Sequence, residues 1–172
     1  RPAPRRYWQL PTAASAPPAH SPASLRARLA QSVEARLMSD VPLGAFLSGG
    51  LDSGAVVALA AGARGSPLDT FTIGFPGAGD ERAAAAEVAA SVRARHRAEQ
   101  GSADYLGAAR AVARIFGQPF GDHSAVPTLA VCRLARRHVT VALSGDGGDE
   151  VFGGYRRYRF HLLVEGIRRH LP

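Results

Sequence analysis

Two short apolar runs, Leu43 to Leu47 and Val139 to Leu143, each end in a polar, glycine-rich string. Runs of that length bounded by turn residues read as strands buried on both faces. A third run, Thr70 to Phe75, is rich in β-branched and aromatic residues and is closed by Pro76-Gly77. Helical spacing fills the intervals. Ser21-Pro22 predicts an N-cap followed by a first-turn proline, with Leu25, Leu29, Val33 and Leu37 on one face of a helix to about Met38. Ala55 to Ala61 is an uncharged apolar helical run, and Asp80 to Arg95 an alanine-rich helix, acidic in its first turn and basic in its last. Ser102 to Phe116 predicts a helix with Leu106, Val112 and Ile115 inward. Pro119 and Pro127 bracket a loop holding Asp122, and a helix from about Pro127 to Arg137 leads into the last strand. From Leu43 the order is strand, helix, strand, helix, helix, helix, strand, helix, which predicts an α/β fold with a parallel sheet covered by helices on both faces. Residues 1–20, rich in Pro and Ala, read as a linker or entering arm with Tyr7-Trp8 as an anchor, and residues 21–172 as one domain.

Ligands of such sheets collect at the carboxyl ends of the strands, near the point where strand order reverses. Both glycine-rich strings lie at carboxyl ends, so they can face one ligand. Whether their strands are neighbours stays open at this level.

Composition narrows the class. The chain has 172 residues, 46% of them hydrophobic, enough for one core of ordinary domain size and too little for two. No stretch reaches the roughly 18 uninterrupted apolar residues a bilayer requires, and Arg1 to Leu10 has no apolar run of the secretory kind. These features predict a cytoplasmic protein with no membrane partner. Cys132 is the only cysteine, which leaves no intramolecular disulfide and agrees with a reducing compartment. A net charge of +7 raises the question of nucleic acid. The arginines that carry it are scattered through predicted helices without interleaved aromatics, so no nucleic-acid partner is expected. The chain has no lysine with which a Walker-type loop would reach the β and γ phosphates, which disfavours ordinary γ-phosphate hydrolysis.

In Ser48-Gly49-Gly50-Leu51-Asp52-Ser53, small residues let the backbone approach a ligand, and a helix starting near Ser53 aims free N–H groups at the same spot. A phosphate group suits that environment, with the Ser48 and Ser53 hydroxyls as further donors. Asp52 would repel such an anion unless a cation lay between, which implies Mg²⁺, an ion that takes one or two carboxylates plus phosphate oxygens and water. Asp52 and Asp149 supply that number. Read singly, the first string is an ordinary tight turn, and Ser144-Gly145-Asp146-Gly147-Gly148-Asp149-Glu150 a turn or weak calcium loop lacking the spacing of a calcium hand. Together they point to cleavage of ATP between its α and β phosphates.

At these residues the chain resembles the glutamine-hydrolysing asparagine synthetases, in their synthetase domain with its ATP-pyrophosphatase loop. The resemblance runs from about Tyr7-Trp8 to the end and is carried by Arg36 to Gly44, Ser48 to Ser53, Phe71 to Phe75, Asp80-Glu81 and Ser144 to Tyr155. It implies an adenine nucleotide α-hydrolase-like, Rossmann-like fold with ATP and Mg²⁺ at the PP-loop. Leu47 and Ile73 then correspond to residues contacting the nucleotide, with Ser144-Gly145 adding a backbone contact. Ser48, Gly49, Gly50, Asp52 and Ser53 form the loop on its phosphates. Asp146 matches an acidic residue implicated in forming an aspartyl-adenylate, and Asp52 and Asp149 match carboxylates holding Mg²⁺ on pyrophosphate. The implied reaction activates the β-carboxylate of aspartate on the α-phosphate of ATP, and ammonia then attacks the adenylate to give asparagine and AMP.

Departures from the family pattern add further expectations. The family's glutaminase half begins with a nucleophilic cysteine, whereas this chain begins Arg1-Pro2 and holds Cys132 in a predicted helix as a buried packing residue. Ammonia is therefore expected from a glutaminase domain upstream. The family also uses a lysine further toward the C-terminus, so the chain reads as a fragment lacking both parts. Gln118 stands where relatives often carry an acidic residue and Arg97 where a second histidine is common, so His96 and His123 read as surface or loop histidines. The resemblance leaves room for a homodimer. It also leaves three rival readings: a related amidotransferase or cyclase that closes β-lactams or peptides, a non-catalytic nucleotide-binding module, and an RNA-modifying pyrophosphatase, which the second string fits poorly.

Overall fold

The computed structural model describes residues 3–9, 21–75, 80–102, 104–118 and 120–169. Residues 10–20 of the expected linker, the Pro76-Gly77 stop and Pro119 lie outside that set. Helix α1 (Pro22–Glu34) starts where its cap predicts, the Ser21 hydroxyl accepting the Ser24 N–H at 3.1 Å. It ends at Glu34 rather than Met38, and Val33 is its buried residue.

Four parallel strands follow: β1 (Leu43–Phe46), β2 (Asp69–Gly74), β3 (Arg95–Gln100) and β4 (Val141–Leu143), in the spatial order β3-β2-β1-β4. The helices are α2 (Leu51–Ala63), α3 (Arg82–Ser91), α4 (Tyr105–Phe116), α5 (Ala125–Arg136), α6 (Gly148–Phe152) and α7 (Arg156–Arg168). Alternation along β1 sends Leu43 and Ala45 into a cluster with Val57 and Ala60 of α2 and Ala85 and Ala89 of α3. Phe46 points the other way, where Leu134 and Ala135 of α5 cover Phe71 and Val139. The sheet is thus packed on both faces, the α/β arrangement expected from the order of elements.

From β1 the chain adds β2 and then β3 outward, passes through α4 and α5, and returns to lay β4 on the opposite side of β1. Ala45 pairs with Leu143, so the carboxyl ends of β1 and β4 are neighbours at the point of reversal.

Several expectations need correction. The helix expected to run to Arg95 stops at Ser91; Arg93 takes a left-handed φ of 55°, and Arg95–Gln100 forms a strand. Its sequence, Arg-His-Arg-Ala-Glu-Gln, is polar because β3 is an edge, tied to β2 by Arg95 and Arg97 reaching Asp69 and to the C-cap of α5 by Arg137 reaching Glu99. Asp80 and Glu81 precede α3 rather than forming its first turn, and Asp80 accepts the Arg82 N–H at 3.1 Å. On α4 only Val112 is buried; Leu106 and Ile115 are exposed, because this helix packs on α5 rather than on the sheet. His96 lies on β3, half-buried, with Nδ1 3.0 Å from the Thr70 hydroxyl, whereas His123 is an exposed turn residue. Cys132 is exposed on α5 rather than buried, and partial desolvation by its surroundings holds its thiol above the usual range. Among the described residues no helix is long and apolar enough to cross a membrane.

Candidate functional site

The first loop is shaped by its own serines. Leu47 carries the ladder one residue past β1, its N–H donating to the Phe71 carbonyl at 2.9 Å and its own carbonyl accepting from the Thr72 hydroxyl. The Ser53 hydroxyl accepts the Ser48 N–H at 3.1 Å and lies 2.7 Å from the Ser48 hydroxyl, which in turn accepts the Gly50 N–H at 3.2 Å. Both hydroxyls therefore hold the loop's shape, a use the expected phosphate contacts did not include. Gly50 caps α2 without a side-chain bond, so the first-turn N–H groups of α2 have no acceptor in the helix and Asp52 sits among them.

The second loop lies directly against the first. A Cβ on Gly145 would fall 2.6 Å from the Ser53 nitrogen, and one on Gly148 would fall 2.4 Å from the carboxyl carbon of Asp52. Only glycine permits that approach. Gly147, with φ of 93°, turns the chain into α6, and Asp149 follows in its first turn. Asp52 and Asp149 are thus brought together, one carboxylate resting on the residue that precedes the other.

These loops frame a cavity of about 780 Å³, a size that admits a nucleotide. Leu47, Ser48, Gly50, Asp52, Ser53, Ile73, Ser144, Gly145, Asp146 and Asp149, all named from the sequence, line it. Gly49 does not. A Cβ there would lie 2.7 Å from that of Ala84, so this glycine serves the packing of the loop on α3. The sequence reading missed Pro127, Thr128 and Val131, which line the wall because α5 crosses the sheet there, and Phe152 from α6. Nothing local in the sequence of α5 signals that role; it follows from the crossover.

The cavity's charge is the opposite of the chain's. Asp52, Glu81, Asp146, Asp149 and Glu150 line it, and among the described residues no arginine or histidine does. An unaccompanied phosphate ester would be repelled. Among the described residues no three His, Cys, Asp or Glu side chains converge as a metal-binding set. A hard cation here would have to complete its shell with phosphate oxygens and water around the Asp52 and Asp149 pair, as Mg²⁺ does and a caged Zn²⁺ does not. The donor set fits Mg²⁺. At the rim, Tyr155 donates to Glu150 at 2.6 Å, which holds the Glu150 carboxyl below its usual range and the Tyr155 hydroxyl above its own.

Comparison with known proteins agrees with this geometry. Residues 24–172 match the protein family described as asparagine synthase. The chain belongs to the asparagine synthase family. Among curated relatives of this family, it is 40% identical over 169 residues to a putative asparagine synthetase [glutamine-hydrolyzing] of Methanocaldococcus jannaschii, covering 95% of this chain and 32% of that protein. It is 39% identical over 147 residues to asparagine synthetase [glutamine-hydrolyzing] 1 of Bacillus subtilis, covering 84% of this chain and 23% of the relative. The chain therefore spans about a third or less of the length of the asparagine synthetases it matches. A solved structure of NMN synthetase from Francisella tularensis superposes with a TM-score of 0.52 at 17% identity, over 80% of this chain and 59% of the other. That likeness shows the fold alone: a parallel α/β sheet with helices packed on both faces.

Proposed function

We propose that this chain carries the ATP-using site of a glutamine-hydrolysing asparagine synthetase, the activity named in its curated relatives. The aspartate β-carboxylate attacks the α-phosphate of ATP, the bond to the β-phosphate breaks, and pyrophosphate leaves; ammonia then attacks the acyl carbon of the adenylate and displaces AMP. A carboxylate is a poor electrophile, so the first step is what makes the second feasible. The first-turn N–H groups of α2 bind phosphate oxygens, orienting the leaving group. Leu47 and Ile73 flank the nucleotide, Ser144 and Gly145 fix its position, and Asp146 stands at the cavity where the adenylate forms. Asp52 and Asp149 would hold Mg²⁺, which when bound offsets the charge developing on pyrophosphate. Ammonia would come from the glutamine-hydrolysing part that the relatives' names describe.

The observation that carries this reading is the acidic cavity at the β1/β4 reversal, with two carboxylates set beside the N-terminus of α2, which has no side-chain cap. Calorimetry of this chain with ATP tests it: binding is expected with Mg²⁺ and not with EDTA. Exchange of labelled pyrophosphate into ATP by the full-length protein, dependent on Mg²⁺ and aspartate, tests the chemistry. Exchange that requires a different carboxylic acid would move the substrate to another amide-forming or ring-closing reaction. Metal-independent ATP binding would overturn the assignment of Asp52 and Asp149.

A further inference from the structure

We propose that Tyr155, hydrogen-bonded to Glu150 and covered by Arg157, is a positioning residue that fixes the Asp149 carboxylate at the edge it shares with Asp52. The inference rests on the reading of Asp149 as a cation ligand. Helix α6 buries none of its residues, and Val151 and Phe152 are largely exposed, so no apolar anchor holds it to the core. Gly148 packs on Asp52 at its start, and the turn that follows braces its end. Gly153 takes a φ of 70° and Gly154 donates its N–H to the Asp149 carbonyl at 3.1 Å, folding the chain back over its own helix.

That fold sets Gly154 flush against the Asp149 side chain. A Cβ at Gly154 would lie 1.9 Å from Asp149 Oδ1, so the backbone of Gly154 is the wall that selects this carboxylate's rotamer. The wall stays in place because the next residue is tethered: the Tyr155 hydroxyl donates to Glu150 Oε1 at 2.6 Å, joining the residue after Gly154 to the residue after Asp149. Above the ring, the Arg157 guanidinium stands 4.3 Å from the Tyr155 centroid, and Tyr158 meets Tyr155 edge-on at 5.6 Å and 70°. Tyr155 is therefore held on both its ring and its hydroxyl. Without the tether, repulsion from the neighbouring carboxylates would favour an outward Asp149 rotamer, and a cation would have to gather its ligands anew.

The probe is Mn²⁺ with pyrophosphate, followed by electron paramagnetic resonance on this chain. Tyr155→Phe is expected to weaken Mn²⁺–pyrophosphate binding about tenfold, the effect typical of losing a group that orients a metal ligand. Its melting temperature should match wild type. Arg157→Lys should recover most of what Arg157→Ala loses, since a cation still covers the ring. Glu150→Gln should recover part of the loss in Glu150→Ala, because the amide oxygen still accepts from Tyr155. Wild-type affinity and spectrum in Tyr155→Phe would overturn the positioning role. Equal losses in Glu150→Gln and Glu150→Ala would overturn it too, in favour of Glu150 as a direct ligand. Failure of the wild-type chain to bind Mn²⁺ with pyrophosphate would instead reject the metal site itself, and the positioning role with it.

Discussion

The carboxylate of Asp52, at the start of α2, rests against the α-carbon of Gly148, so that a methyl group there would stand 2.4 Å from its carboxyl carbon. Two loops separated by most of the chain thereby share one wall, and the smallest side chain is a condition of the site. Gly148 lies in helical backbone, so Gly148→Ala is conformationally allowed and its effect is steric. Displacing Asp52 should weaken Mg²⁺-dependent ATP binding about tenfold, by analogy with the loss of a ligand-orienting contact. Gly147→Ala makes the contrasting control: nothing lies within 4 Å of its added methyl, but its φ is 93°. That variant should lose about 1–3 kcal/mol of stability from backbone strain and keep its metal dependence. Calorimetry and chemical denaturation of the two variants separate the outcomes.

Removing charge without volume addresses the ligands directly. Asp52→Asn and Asp149→Asn should each weaken Mg²⁺–ATP binding by at least about tenfold, since under the proposed function each removes a cation ligand. Melting temperatures should stay near wild type, because both carboxylates line the cavity rather than the core. The same affinity in Asp52→Asn and wild type, measured by calorimetry, would remove Asp52 from the metal site.

Much of this site is legible in the sequence because its chemistry is local. A strand, a glycine-rich turn and a helix start are contiguous in Leu43 to Ser53, and again in Val139 to Glu150, so residue type and spacing carry the signal. The neighbouring of β1 and β4 is not local, and only the fold supplies it. Edge strand β3 was hidden for a physical reason: it pairs on one side and carries Arg95, Arg97 and Glu99 in ion pairs, which no apolar alternation announces. The stripe on α4 misled in the opposite sense, since Leu106 and Ile115 have the spacing of a buried face and are exposed. Gly49 looked like a phosphate-loop glycine and is a packing glycine.

That last distinction is open to measurement. Gly49→Ala sets two methyl carbons 2.7 Å apart, well inside contact distance, and should cost about 1–3 kcal/mol as an overpacked contact. Adding Ala84→Gly removes the clash, so the double variant should regain part of the loss in urea denaturation. Losses that simply add would show that the two residues are not coupled.

Asp146 offers a test of chemistry apart from binding. It is an exposed residue on the cavity rim, its N–H 3.4 Å from the Ser144 hydroxyl. Asp146→Ala should leave Mg²⁺–ATP affinity unchanged and lower aspartate-dependent pyrophosphate exchange about a hundredfold, the low end of what a group acting in proton transfer or charge stabilisation contributes. Exchange at the wild-type rate would remove Asp146 from the mechanism.

The pH dependence of stability turns on His96. Burial holds its imidazole below the ordinary value of 6.5, Nδ1 lies 3.0 Å from the Thr70 hydroxyl, and Nε2 is buried with no partner among the described residues. The folded state therefore resists protonation while the unfolded state accepts it. Its contribution is fully present above pH 6.5 and is lost as pH falls below 6.5 toward the lowered value. Asp69 acts in the same direction at lower pH: partial burial raises its carboxyl, hydrogen bonds from Arg95 and Arg97 and their charges outweigh that, and its stabilisation fades as acid titrates it below the usual carboxylate range. Melting temperature should thus fall in two stages on acidification, both loosening β3 from β2. His96→Gln should flatten the first stage and leave the second, and an unchanged profile between pH 7 and 5, roughly the span of a shifted imidazole, would show that His96 does not control the edge of the sheet.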